Sequence, residues 1–295
     1  YMESVWWLLK QIYDKKLLYK GYTIQPYSPK AGTGLSSHEL NQPGTYQDVT
    51  DTTVTAQFKA VENTLPEVLK SKIPLYFLAW TTTPWTLPSN TALTVGSRID
   101  YVVVNTFNQY TFEPIRVVLA KALVNKQFTG VYELAETLEG FNADSKKIPF
   151  VIENTFKGSD LVGIRYEQLL PYVLPFNEPQ NAFRVISGDF VTTEDGTGIV
   201  HTAPTFGADD ALVAKQAVPE VPPLLVKDDQ DKLVPLVDLQ GRFRSEVTDF
   251  AGQYVKNDYY PEGEAPEKSV DVEIAIKLKI ENKAFKVEKY KHSYP

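Results

Sequence analysis

Trp80-Thr81-Thr82-Thr83-Pro84-Trp85-Thr86-Leu87-Pro88-Ser89-Asn90 is where the pattern of this chain changes most sharply, from an apolar run to a turn crowded with hydroxyls. The preceding Ile73-Pro74-Leu75-Tyr76-Phe77-Leu78-Ala79 has the length and composition of a largely buried strand, and the two prolines with Ser89 and Asn90 end its pairing. Four threonines therefore stand at the exit of a strand, a place that can hold a polar substrate. They can equally be β-formers whose hydroxyls close their own turn by bonds to the backbone.

A second segment shares that design: Gly196-Thr197-Gly198-Ile199-Val200-His201-Thr202-Ala203-Pro204-Thr205-Phe206-Gly207-Ala208-Asp209-Asp210. Ile199 and Val200 continue the apolar pattern of Phe183-Arg184-Val185-Ile186, so residues 183 to 201 read as strand. Pro204 and Gly207 break the pattern, and Ala208 to Ala217 has acidic residues in the first turn of a short helix. A histidine at a strand end fits a structural role as well as a catalytic one, and Asp209 and Asp210 can simply complement the helix dipole. Taken together, the two segments resemble the editing-site motifs of isoleucyl-tRNA synthetases, found in the first connective polypeptide insertion of those enzymes.

The resemblance covers nearly the whole chain. Glu3-Ser4-Val5-Trp6-Trp7, Gly21-Tyr22 and Tyr27-Ser28-Pro29-Lys30-Ala31-Gly32-Thr33-Gly34-Leu35-Ser36 are similar to the segment leading from the catalytic domain into the insertion. Val237-Asp238-Leu239-Gln240-Gly241-Arg242-Phe243, Asp249-Phe250-Ala251-Gly252 and His292-Ser293-Tyr294-Pro295 are similar to the segment leading back. Related valyl and leucyl enzymes carry Thr-Thr-Arg-Pro in the first motif, so Thr83-Pro84-Trp85-Thr86 points to the isoleucyl branch. Where the commoner bacterial form has Gly-His-Gly, this chain has Thr205-Phe206-Gly207, a variant similar to eukaryotic and some bacterial isoleucyl enzymes.

The resemblance implies a β-rich α+β fold, an editing-domain β-barrel with surrounding helices, in which the N- and C-terminal segments meet at the base of the insertion. Residues 1–45 would lead in, 46–262 form the editing domain and 263–295 return. It also implies hydrolysis of the ester joining valine to isoleucine tRNA, with valyl-adenylate as a further substrate. Asp210 would anchor the amino group, with Asp209 its structural neighbour, and His201 would line the wall where side-chain size is sensed. Thr81, Thr82 and Thr83 can offer hydroxyls to the terminal adenosine, the ester carbonyl or the attacking water, with Thr86 beside them. Asn90 can pin the loop or reach the ribose. Trp80 and Trp85 fit adenine stacking and core packing equally.

The partners implied are the acceptor end of tRNA(Ile) carrying valine and the remainder of the synthetase in cis. Editing needs no cofactor, and ATP and Mg belong to the synthetic domain of the full-length enzyme. Neither a His-x-Gly-His nor a Lys-Met-Ser-Lys-Ser signature is present, so amino-acid activation is not expected. The rival reading is a non-catalytic insert that positions the tRNA end.

Composition agrees. With 295 residues, 43% of them hydrophobic, the chain can bury a sizeable core. No stretch is apolar for the ~18 residues that span a bilayer, which fits a cytoplasmic setting without membrane contact. No cysteine and three scattered histidines leave no metal site, and Ser28 and Ala31 stand where related synthetases often carry a zinc-binding Cys pair. A net charge of -7 argues against a free-standing nucleic-acid binder. Against that balance, Lys277, Lys279, Lys283, Lys286, Lys289 and Lys291 face only Glu281 and Glu288 within their run, as a solvated face or a contact with RNA or the enzyme body. Lys30-Ala31-Gly32-Thr33-Gly34-Leu35-Ser36-Ser37 lacks the Gly-Lys-Ser/Thr ending of a phosphate loop. Asp51-Thr52-Thr53 and Asp195-Gly196-Thr197-Gly198 lack the Asp-Thr/Ser-Gly of aspartic proteases.

Along the chain, Glu3 to Tyr19 reads as an amphipathic helix, Tyr46 to Phe58 as a strand and Ala60 to Leu69 as a helix broken at Pro66. Strands recur at 72–80, 101–107, 115–119 and 149–153, a helix crosses at 120–128, and 219–235 forms a hairpin with its tip at Asp228-Asp229-Gln230-Asp231. Asp271 to Ala284 reads as a return helix lying beside the first.

Overall fold

The computed structural model describes residues 1–19, 24–28 and 31–294. Gly21-Tyr22, Pro29-Lys30 and Pro295, quoted above, lie outside the described residues. Helix α1 (Met2–Asp14) comes first. Strands β1 (Tyr27–Ser28) and β2 (Thr33–Gly34) pair as a small hairpin, and α2 (Ser37–Leu40) starts at a capping box between Ser36 and Glu39. Then follow β3 (Gln47–Lys59), β4 (Leu75–Thr81), β5 (Ala92–Val95), β6 (Asp100–Phe107), β7 (Pro114–Ala120), α3 (Val124–Gln127), β8 (Tyr132–Leu134) and β9 (Ile148–Lys157). The rest is α4 (Gly158–Leu161), β10 (Arg184–Ser187), β11 (Ile199–Thr202), α5 (Ala208–Gln216), the hairpin β12 (Leu225–Lys227) and β13 (Leu233–Pro235), α6 (Val270–Ile280) and β14 (Ala284–Tyr294).

Seven strands form one sheet, ordered β14-β3-β4-β7-β6-β9-β8, and three form a second, ordered β10-β5-β11. The β-rich α+β class is thus the class observed. The two sheets meet where β11 lies against β4, and among the described residues their ladders are those of two sheets in contact.

Side-chain alternation builds the core. Leu75, Phe77 and Ala79 of β4 join Val54, Ala56 and Phe58 of β3 on one face of the large sheet, while Tyr76 and Leu78 join Val102, Val104, Val117 and Phe285 on the other. Burial on both faces is why 75–79 is an unbroken apolar run, its leucines and Phe77 each contributing about 1.5–3 kcal/mol when fully buried. On the small sheet, α5 lays Val213 and Ala214 against Ala92 and Ile186.

Several expectations change. Residues 183 to 201 are two strands, not one: β10 runs parallel and β11 antiparallel to β5, on its opposite edges. The loop between them turns through Gly196 and Gly198 at φ of 72 and 73, values that favour glycine. In place of a broken helix at 60–69 there are two single 3-10 turns, Glu62–Thr64 and Glu67–Leu69, because Pro66 between them has no N–H to continue a helix. Helix α1 stops at Asp14, shortly before Lys16 takes a φ of 57, and none of its residues is buried. The return helix does not lie beside it. α6 packs instead on β3, β14 and the Pro84–Ser89 turn, because Val270, Ile274 and Leu278 complete the main core.

The returning segment therefore shares its cores with β3 and β4, through Ile274, Leu278, Ala284 and Phe285. Strand β14 pairs antiparallel along β3 from Ala284 opposite Ala56 to Tyr294 opposite Gln47, so the two strands form one ribbon. The lysine run is largely neutralised within the fold. Lys277 pairs with Asp249 and Glu281, Lys283 with Glu281, Lys286 with Glu288 and Lys291 with Asp48. That favours a solvated face over a phosphate-binding one.

Candidate active site

The threonine turn is the passage from one sheet to the other: β4 ends at Thr81, the 3-10 turn Pro84–Ser89 follows, and β5 starts at Ala92. Thr81 Oγ1 accepts the Thr83 N–H at 3.0 Å and lies 3.2 Å from Thr83 Oγ1. The Thr86 hydroxyl donates to the Thr83 carbonyl at 2.9 Å. These bonds realise the backbone-closing reading of the hydroxyls for Thr81 and Thr86. Thr82 and Thr83 remain half-exposed.

Strand pairing brings the second motif alongside. β11 sets His201 opposite Leu93 of β5, which places its ring over the turn. His201 is buried, with Nε2 2.9 Å from Thr86 Oγ1 and Nδ1 2.8 Å from Asn90 Nδ2. The network assigns its protons. Asn90 Nδ2 also donates to the Ala92 carbonyl at 2.8 Å, and Asn90 Oδ1 accepts the Tyr166 hydroxyl at 2.6 Å, so the amide turns its NH2 toward His201. Nδ1 must accept, Nε2 must carry the hydrogen and donate to Thr86, and Thr86 passes its own hydrogen to the Thr83 carbonyl. Burial lowers the His201 pKa to about 4, so the ring is neutral at physiological pH. With its one basic lone pair already engaged, His201 has nothing with which to take a proton from water.

Asp210 is held by the other turn. Its Oδ2 accepts the Ala203 N–H at 2.8 Å, two residues beyond His201. Burial pushes its carboxyl up, opposed by that amide and reinforced by neighbouring Asp209. The carboxylate lies so close to Gly207 that a Cβ there would stand 2.7 Å from it, so a larger residue would push Asp210 aside. Asp209 is exposed in the first turn of α5 and does not cap it. The two motifs touch through Trp85 and Phe206, whose rings meet edge to face at 4.9 Å.

Thr81, Thr83, Thr86, Asn90 and His201 thus form one hydrogen-bonded cluster, with Trp85 and Asp210 at its margin. Trp80 stands apart: alternation along β4 sends it to the face opposite Thr81, where it meets Tyr290 at 5.2 Å. Two residues of the site were not legible from the motifs. Nothing in the sequence around Tyr166 signals its bond to Asn90. Asp271, which accepts the Trp85 N–H at 2.8 Å, did leave a sign, as an acid among the buried positions 270, 274, 275 and 278 of a helix.

Comparison with known proteins agrees with the fold and gives the family. The family described as tRNA synthetases class I (I, L, M and V) matches residues 1–249, and the chain belongs to that family. It is 60% identical over 307 residues to the isoleucine–tRNA ligase of Cytophaga hutchinsonii, 56% over 312 to that of Bacteroides fragilis and 51% over 312 to that of Porphyromonas gingivalis. Each match covers 100% of this chain but only 26% or 27% of the relative, so the chain spans about a quarter of their length. Among solved structures, the editing domain of P. knowlesi cytosolic leucyl-tRNA synthetase aligns with 82% of this chain and 97% of that one, with a TM-score of 0.51 at 12% identity, a likeness of fold. No described helix is long and apolar enough to cross a membrane.

Proposed function

We propose that this chain is the editing part of a cytoplasmic isoleucine–tRNA ligase and hydrolyses the ester of valine on the acceptor end of tRNA(Ile). The observation that carries the reading is the hydrogen-bonded joining of the threonine turn to a neutral His201, with the Asp210 carboxylate held on the Ala203 N–H just past the end of that strand. The need for such a site is physical. One methylene changes hydrophobic binding by only about 1–3 kcal/mol, and discrimination of isoleucine from valine by these enzymes is the standard example of that limit.

Asp210 takes the valine ammonium, since a carboxylate facing a desolvated ammonium makes a strong charge-assisted bond. His201 forms a rigid wall: its ring is fixed at both nitrogens and excludes one extra methyl group. Thr82 and Thr83 present hydroxyls to the ester and its water, with Thr81 and Asn90 holding the turn in place. The water oxygen attacks the carbonyl carbon and the bond to the ribose oxygen breaks. The leaving oxygen takes a proton, giving free valine and a free ribose hydroxyl. The neighbouring ribose hydroxyl assists, because no side chain of the cluster is a free base. Of the indoles, we assign Trp85 to the terminal adenosine, because it belongs to the threonine turn while Trp80 packs on the opposite face. No cofactor enters; ATP and Mg serve amino-acid activation elsewhere in the ligase.

The test is deacylation of valyl-tRNA(Ile) by the purified chain. It should accelerate the reaction, and His201→Ala should add isoleucyl-tRNA as a substrate while keeping the valyl ester. A chain that binds tRNA without hydrolysis would favour the insert that only positions the acceptor end.

A further inference from the structure

The threonine turn begins with a gap in its hydrogen bonding. Pro84 has no N–H, Thr83 provides no side-chain cap, and the next amide, that of Trp85, would be left without a partner in a part-buried site. The acceptor comes from 186 residues away: Asp271, at the start of α6 and 3% exposed, receives that N–H through Oδ1 at 2.8 Å. Its other oxygen meets Lys256 Nζ at 2.7 Å. Lys256 also reaches Asp51 of β3 at 3.3 Å, and Asp51 Oδ2 lies 2.9 Å from His292 Nε2 of β14. Burial works against the Lys256 ammonium, but Asp271 and Asp51 outweigh it and hold its pKa above the ordinary lysine value. A buried ion pair of this kind is weak evidence for stability, because desolvation offsets much of the attraction. Its geometry is therefore the more informative feature.

We infer that Asp271 is a positioning residue of the editing site: anchored by Lys256, it caps the Trp85 amide and so fixes the turn that presents Thr86 to His201 and Trp85 to Phe206. The inference rests on the deacylase reading above. Asp271 does not touch the proposed substrate; it acts through the backbone of the turn. The chain of contacts from His292 through Asp51, Lys256 and Asp271 to Trp85 also ties the turn to the ribbon where the chain enters and leaves this fold.

Three variants of the full chain test it: Asp271→Ala, which removes the acceptor; Asp271→Asn, which keeps an acceptor oxygen and removes the charge; and Asp271→Asn with Lys256→Met, which removes both charges together. Asp271→Ala should lower kcat for valyl-tRNA deacylation by about tenfold, with KM changed by less than about twofold, because a misplaced turn affects the reaction more than tRNA capture. The asparagine forms should stay within about threefold of the parent, the paired variant guarding against a stranded lysine. Hydrogen exchange at the Trp85 amide, read by NMR, should accelerate in Asp271→Ala and stay slow in the asparagine forms. Unchanged kcat in Asp271→Ala with a freely exchanging Trp85 amide would overturn the positioning role, as would asparagine forms as impaired as alanine. A parent chain without deacylase activity would retire the functional reading, while Trp85 exchange would still decide whether Asp271 holds the turn.

Discussion

The turns that follow β4 and β11 both carry polar groups at strand ends, and they hold them by opposite means. The threonine turn depends on distant partners, His201 at 115 residues and Asp271 at 186. The turn at 203–210 holds itself: Phe206 and Gly207 both donate to the Ala203 carbonyl, and the Ala203 amide donates to Asp210. The first is fixed only once the whole chain has folded, and its bonds to His201 are buried. The second is locally determined and stays partly open, which suits the proposed role of Asp210 as anchor for an incoming ammonium. In the proposed function, the wall and the anchor are thus held by different means.

The largest effect is expected at His201. The unfolded chain takes up the imidazole proton near 6.5 and the folded chain only near about 4. The folded-state pKa is lowered, so this stabilisation is complete above pH 6.5 and is lost as pH falls toward 4, by up to about 3 kcal/mol. Urea unfolding across that window, compared with His201→Gln, should show a steeper acid loss in the parent, since carboxylates common to both cancel. Equal slopes would mean that His201 is not held neutral by burial.

The anchor is sharpened by Asp210→Asn, which keeps an acceptor for Ala203 but loses the charge. Valyl-tRNA deacylation should fall at least tenfold, charge-assisted bonds being worth about 1.5–3 kcal/mol, and Asp210→Ala should fall as far. Full activity in the asparagine form would make Asp210 a brace for its turn and nothing more.

Tyr166→Phe probes the sealed side. It leaves Asn90 Oδ1 buried without its hydroxyl partner, so unfolding free energy should drop by about 1–2 kcal/mol. An unchanged denaturation midpoint would show that Asn90 does not need that bond. The smallest effect belongs to the ribbon, outside both turns. Lys291→Ala removes an exposed pair with Asp48, and stability should change by less than about 0.5 kcal/mol. A larger loss, read by the same urea titration, would show that the lysine run does more than neutralise its own acids.

What the sequence determined by itself is what depends on neighbours along the chain. The apolar run 75–79, the stop at Pro84 and Pro88, the acidic start of α5 and the hairpin tip at Asp228–Asp231 follow from alternation and turn chemistry, whereas the grouping of Thr81–Asn90 with His201–Asp210 is what the resemblance to isoleucyl-tRNA synthetases implied. Tertiary structure decided what those rules do not reach. A period-two pattern cannot tell one strand from two on opposite edges of a third, so 183–201 divided around β5. Nor does an amphipathic pattern name its partner, so α1 stays uncovered while α6 closes the core. Tyr166 and Asp271 became part of the site only because a buried amide or N–H must find an acceptor or donor wherever the fold brings one within reach.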